Sequence, residues 1–116
     1  MIAPIILARR SLDADSMVFD LDLPAGHDAF AGHFPGRPIF PGVVQIDWAV
    51  RLAETHLDSR LPAACDYQVK FRRVVAPGAD LTLELRVERA RGVLHFTYRS
   101  GDEIASTGRI RLDAAS

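Results

Sequence analysis

Apolar and polar positions alternate with a period of two through most of the second half of the chain. Tyr67, Val69 and Phe71 alternate with Gln68, Lys70 and Arg72, and Leu81, Leu83, Leu85 and Val87 alternate with Thr82, Glu84, Arg86 and Glu88. Leu94, Phe96 and Tyr98 do the same with His95, Thr97 and Arg99, as do Ile110 and Leu112 with Arg109 and Arg111. Each run predicts a strand with one apolar and one wet face. The connectors Ala76-Pro77-Gly78, Arg91-Gly92 and Ser100-Gly101-Asp102 are turn-formers. Toward the N-terminus, Pro4 to Ala8 reads as a short strand, Arg9 to Asp15 as a polar turn, and Ser16 to Leu23 as a second strand.

The pattern changes between Val43 and about Leu57. Val43, Ile46, Val50, Ala53 and Leu57 follow helical spacing, while Val44, Trp48, Ala49 and Leu52 widen the apolar surface well beyond one stripe. A helix that is apolar nearly all round is expected to be buried. Its polar residues Arg51, Glu54, His56 and Asp58 gather toward the far end, where it should emerge. One buried helix and several one-sided strands predict an α+β domain, an antiparallel sheet with its apolar face closed over the helix. No repeat or linker divides residues 1–116, so a single domain is expected.

Composition narrows the possible partners. The chain of 116 residues has a formal net charge of −1, which provides no overall positive field to collect nucleic-acid phosphates. A single cysteine, Cys65, rules out an internal disulfide and fits a reducing cytoplasm, where it would serve as a small apolar core residue. Ile5-Ile6-Leu7-Ala8 is too short for a membrane span or a signal-peptide core. His27, His56 and His95 show no metal-ligand spacing, so no metal site is expected.

Residues 27–42 form a long irregular segment, and long ordered loops in compact domains are usually functional. Within it, His33-Phe34-Pro35-Gly36-Arg37-Pro38-Ile39-Phe40-Pro41-Gly42 carries three prolines and leads directly into the helix. Each proline fixes its own φ and biases the residue before it toward extended backbone. Asp47 follows fourteen residues after His33, on the helix itself. An imidazole and a carboxyl, each on a rigid element, are what proton-transfer chemistry requires.

These residues resemble the signature of the 3-hydroxyacyl-acyl-carrier-protein dehydratases: His33-Phe34-Pro35-Gly36-x-Pro38-x-x-Pro41-Gly42, then an acid at position 47. Lys70-Phe71-Arg72-Arg73-Val74-Val75-Ala76-Pro77-Gly78 is similar to the strand that leads into that family's Pro-Gly turn. The likeness spans roughly Gly32 to Leu83. It implies the hot-dog fold, a curved antiparallel sheet around a central helix, and a cofactor-free removal of water from a 3-hydroxyacyl thioester. His33 would be the general base at C2 and Asp47 the acid at the departing C3 hydroxyl. Backbone N–H groups at Gly42 and Val43 would face the thioester oxygen, and Phe40 would border the acyl tunnel. The resemblance further implies an acyl-carrier-protein substrate and a dimer or higher oligomer with sites shared between chains.

Two residues depart from the common pattern. Asp47 stands where the FabZ-type branch has glutamate, as in the FabA-type branch, and Arg51 stands where both usually place glutamine. The run Val44-Gln45-Ile46-Asp47-Trp48 is similar to the ApeI-like dehydratases of aryl-polyene pathways. An acid at Asp47 is expected to have Arg51 turned away; the competing reading is an i,i+4 ion pair between the two. Lys70, Arg72 and Arg73 read equally as a solvated strand face or as a docking surface for an acidic carrier protein or its phosphate. A thioesterase of the same fold and a non-catalytic partner subunit, forming a heterodimer with a related dehydratase, are the alternative functions.

Overall fold

The computed structural model describes residues 3–27, 39–57 and 66–112. The candidate base His33 and Cys65 lie outside the described residues. Six strands and one helix appear in the order β1 (Ile5–Asp13), β2 (Ser16–Asp22), α1 (Gly42–His56), β3 (Tyr67–Phe71), β4 (Leu81–Glu88), β5 (Val93–Ser100) and β6 (Glu103–Arg111). The strands form one sheet in the order β1-β2-β4-β5-β6-β3, antiparallel at each pairing.

The alternation seen in the sequence sets which face of the central strands is buried. Leu81, Leu83, Leu85 and Val87 of β4 and Leu94, Phe96 and Tyr98 of β5 turn inward, and their polar neighbours turn out. The inward face meets Trp48, Ala49, Leu52 and Ala53 of α1 in one core with Phe19, Leu21 and Ile110. A bulge where β5 meets β6, between Tyr98 and Arg99, brings both Ala105 and Ser106 to the inside.

At Gly108 the packing leaves no room for a side chain. It pairs with Phe96 on one side and Val69 on the other, and a Cβ there would lie 2.4 Å from the Phe96 ring. Gly108→Ala must therefore displace a fully buried aromatic ring. Overpacking of this kind typically costs about 1–3 kcal/mol. The expected result is a thermal midpoint lowered by roughly 4–8 °C per kcal/mol, as for a domain of about this size. An unchanged melting curve would show that the ring has free space after all.

Two segments differ from the sequence reading. The expected turn from Arg9 onward is instead a continuation of β1 to Asp13, with register shifts at Ile6/Ala8 and Ser11/Asp13. An edge strand with every residue exposed needs no apolar alternation, and the shifts break what alternation exists. Arg9 Nη1 lies 3.0 Å from His56 Nδ1, which ties this edge to the last turn of α1. Burial first, and the Arg9 charge second, hold His56 below the ordinary imidazole range, which fits it as the acceptor.

β3 is the other departure. It forms the opposite edge of the sheet, and its expected apolar face is not covered by the helix: Tyr67 and Phe71 are 50% and 54% exposed. The helix is bare on the same side. Val43 is 70% exposed and Ile46 and Val50 are only partly buried, so α1 is less enclosed than its composition implied.

Candidate active site

The site is built around the entry to α1. Pro41 is extended, with φ −66° and ψ 142°, and its carbonyl accepts hydrogen bonds from Val44 N and Gln45 N, both at 3.1 Å. The first turn contains no acidic residue and no side chain caps it. Among the described residues the N–H groups of Gly42 and Val43 have no acceptor, so the positive end of the helix is available to an oxyanion. Phe40, just before, is fixed by its amide, which donates to Val75 O at 2.7 Å.

Two depressions open along the seam between α1 and β3. One, of about 410 Å³, is lined by Gly42, Phe71 and Val74 among others, with Arg72 and Arg73 also in its wall. The other, of about 260 Å³, is a mostly apolar trough formed by Val43, Ile46, Val50, Tyr67 and Ile110, with Asp47 in its lining. The candidate acid thus borders an apolar hollow next to the open edge of the sheet.

Asp47 is also engaged. Arg51 Nε lies 3.0 Å from Asp47 Oδ2, with the two side chains 31% and 46% exposed. The sequence reading of Asp47 as an acid expected Arg51 turned away, but the i,i+4 pair is formed. The spacing puts both groups on the same helix face. Pairing and a place in the trough wall are both properties of this one carboxyl.

The other predicted residues fall into three groups. Phe40 is buried, its ring packed 4.8 Å from Trp48 and 5.9 Å from Tyr98 by centroid. At Gly42 a Cβ would sit 2.6 Å from the Phe71 ring, so the space freed by glycine is filled by an aromatic side chain. Lys70, Arg72 and Arg73 are exposed in and just after β3, and Arg73 pairs with Glu103 at 2.6 Å. Among the described residues no cluster of His, Cys, Asp and Glu could hold a metal. No described helix is long and apolar enough to cross a membrane.

A buried polar group beneath the site was missed in the sequence. Gln45 is 3% exposed, donates from Nε2 to Phe40 O at 3.1 Å, and accepts from Ser106 Oγ at 2.7 Å. Its own carbonyl accepts from the Tyr98 hydroxyl at 2.7 Å. Burial, with the Asp47 charge second, pushes the Tyr98 phenol well above its ordinary range and keeps it a donor. The one signal available was a glutamine in an otherwise apolar turn.

Comparison with known proteins shows what the chain is similar to. The family model ApeI-like, described as ApeI dehydratase, matches residues 9–109. The chain is 33% identical over 108 residues to the 3-hydroxyacyl-acyl-carrier-protein dehydratase FabZ of Coxiella burnetii, covering 80% of this chain and 75% of that protein. Among solved structures, it resembles a chain of the dehydratase heterocomplex ApeI:P from Xenorhabdus doucetiae. That match has a TM-score of 0.85 and 34% identity, covering 94% of this chain and 96% of the other. An uncharacterized protein from Erwinia carotovora subsp. atroseptica matches with a TM-score of 0.75 and 30% identity, over 95% of each chain.

Proposed function

Since this chain belongs to the ApeI-like dehydratase family, we propose that it removes water from a 3-hydroxyacyl thioester on an acyl carrier protein, giving the trans-2-enoyl thioester. Among the described residues, one helix on a six-stranded antiparallel sheet is the hot-dog fold of these dehydratases. The observation that carries the reading is Asp47, a carboxyl in the wall of an apolar trough beside a helix N-terminus with free N–H groups.

In this mechanism the His33 imidazole takes the C2 proton, and the electron pair left on carbon delocalises to the thioester oxygen. The N–H groups of Gly42 and Val43 stabilise that oxyanion. The C3–O bond then breaks while Asp47 supplies the proton that lets the hydroxyl leave as water. Phe40 is the buried wall behind the acyl group. Lys70, Arg72 and Arg73 meet the acidic carrier protein or the phosphate of its pantetheine arm.

The open β3 edge, with Tyr67, Phe71 and Val43 exposed beside it, supports pairing with a second chain there, either another copy or a related dehydratase. The heterocomplex architecture of the Xenorhabdus relative agrees with the latter. The family match supports a place in aryl-polyene-type chain assembly, and the single cysteine fits a cytoplasmic, single-domain enzyme over residues 1–116.

One observation favours a second reading. The Asp47–Arg51 pair is what a partner subunit could keep after losing its own chemistry. The test is to incubate the purified chain with a set of 3-hydroxyacyl-carrier-protein thioesters and follow the products by mass spectrometry. Loss of one water with the chain alone is expected. Release of the free acid would identify a thioesterase, and turnover only after adding a related dehydratase would identify the partner subunit.

A further inference from the structure

We infer that Gln45 is a positioning residue: its buried carboxamide locks Phe40, at the entry to α1, and the acid-bearing helix to the sheet in one fixed relation. The inference rests on the dehydratase reading of the site. Three hydrogen bonds converge on this residue from three parts of the fold. Nε2 holds the carbonyl of Phe40, two residues before α1 begins. Oε1 is held by Ser106 of β6, and the main-chain carbonyl by Tyr98 of β5. Tyr98 and Ser106 are register partners across the two strands, both fully buried. Nothing in helix packing requires a polar side chain here, since Val44, Trp48, Ala49 and Leu52 supply the apolar contact.

What the network adds is direction. Apolar packing lets a helix slide or rotate slightly, whereas directional hydrogen bonds in a buried network specify one arrangement. Asp47 lies two residues beyond Gln45, and the N–H groups of Gly42 and Val43 lie three and two residues before it. Turning α1 about its axis would swing the carboxyl out of the trough and tilt the N–H groups away from a thioester oxygen together. Reacting groups tolerate about 0.5 Å of displacement, and a misplacement of about 1 Å can cost on the order of 10²-fold. Gln45 touches no reacting atom in this scheme and acts through the groups it holds.

Gln45→Met conserves volume and removes both side-chain bonds. The expected result is a folded protein whose kcat falls about 10–100-fold with KM little changed. In an Asp47→Asn background the same substitution should cost less, because one of the two groups it positions is already disabled. Ser106→Ala, which removes a single bond, is the second variant should Gln45→Met fail to fold, and is expected to give a smaller loss of the same kind. Amide hydrogen exchange supplies a readout independent of turnover. Exchange at Val44 and Gln45 should quicken in the variants, while the amides of Leu52 and Ala53 stay protected. A wild-type protein with no dehydratase activity would overturn the functional reading while exchange still reports on the lock. Folded Gln45→Met and Ser106→Ala proteins with wild-type kcat and wild-type exchange would overturn the inference.

Discussion

His33→Ala is expected to abolish dehydration, lowering kcat by the roughly 10²–10⁴-fold that a general base contributes. The C2 proton of a 3-hydroxyacyl thioester is too weakly acidic to leave without a base, and neutral imidazole is the side chain whose ordinary pKa lies nearest the working pH. The measurement is a rate on a single 3-hydroxyacyl-carrier-protein thioester with the purified variant, its fold verified by circular dichroism. A folded variant that kept most of its rate would remove His33 from the mechanism and assign the C2 proton to another base.

Asp47→Asn should be nearly as damaging, for a different reason. Asparagine keeps the shape and a hydrogen-bonding oxygen but has no proton to give the departing hydroxyl, so kcat should fall by about two orders of magnitude or more. Arg51 makes this the sharper experiment, because its guanidinium sits 3.0 Å from the carboxyl. If the carboxyl served that pair alone, the substitution would cost about 0.2–0.5 kcal/mol of stability and leave the rate untouched. Turnover and thermal midpoint measured on the same preparation separate the two roles. A wild-type rate with a small midpoint shift would make Asp47 structural and assign the departing hydroxyl's proton to another donor.

Much of this architecture was legible because alternation in β4 and β5 maps directly onto burial. The start of α1 was legible for a related reason, since Pro41 fits the entry to a helix but not its interior. The length of β1 was not. An edge strand exposed on both faces leaves no apolar period, so Arg9 to Asp13 carries a turn-like composition within a strand. In β3 the alternation was visible, but a sequence pattern marks which residues want cover and not whether the same chain supplies it. The candidate acid was legible from its motif, whereas the lock beneath it was not. Gln45 is 53 residues from Tyr98 and 61 from Ser106, and no local pattern announces partners that far away.

The trough that holds Asp47 is closed on one side by β3, the open edge of the sheet. In an assembly formed through that edge, the shape of the trough belongs to a pair of chains and not to one sequence. Such a pocket can change its selectivity by exchange of partner, with no substitution in this chain. Natural variation in substrate would then be found by comparing which chains are co-expressed, and drift in the neighbour's edge residues would alter what this protein accepts.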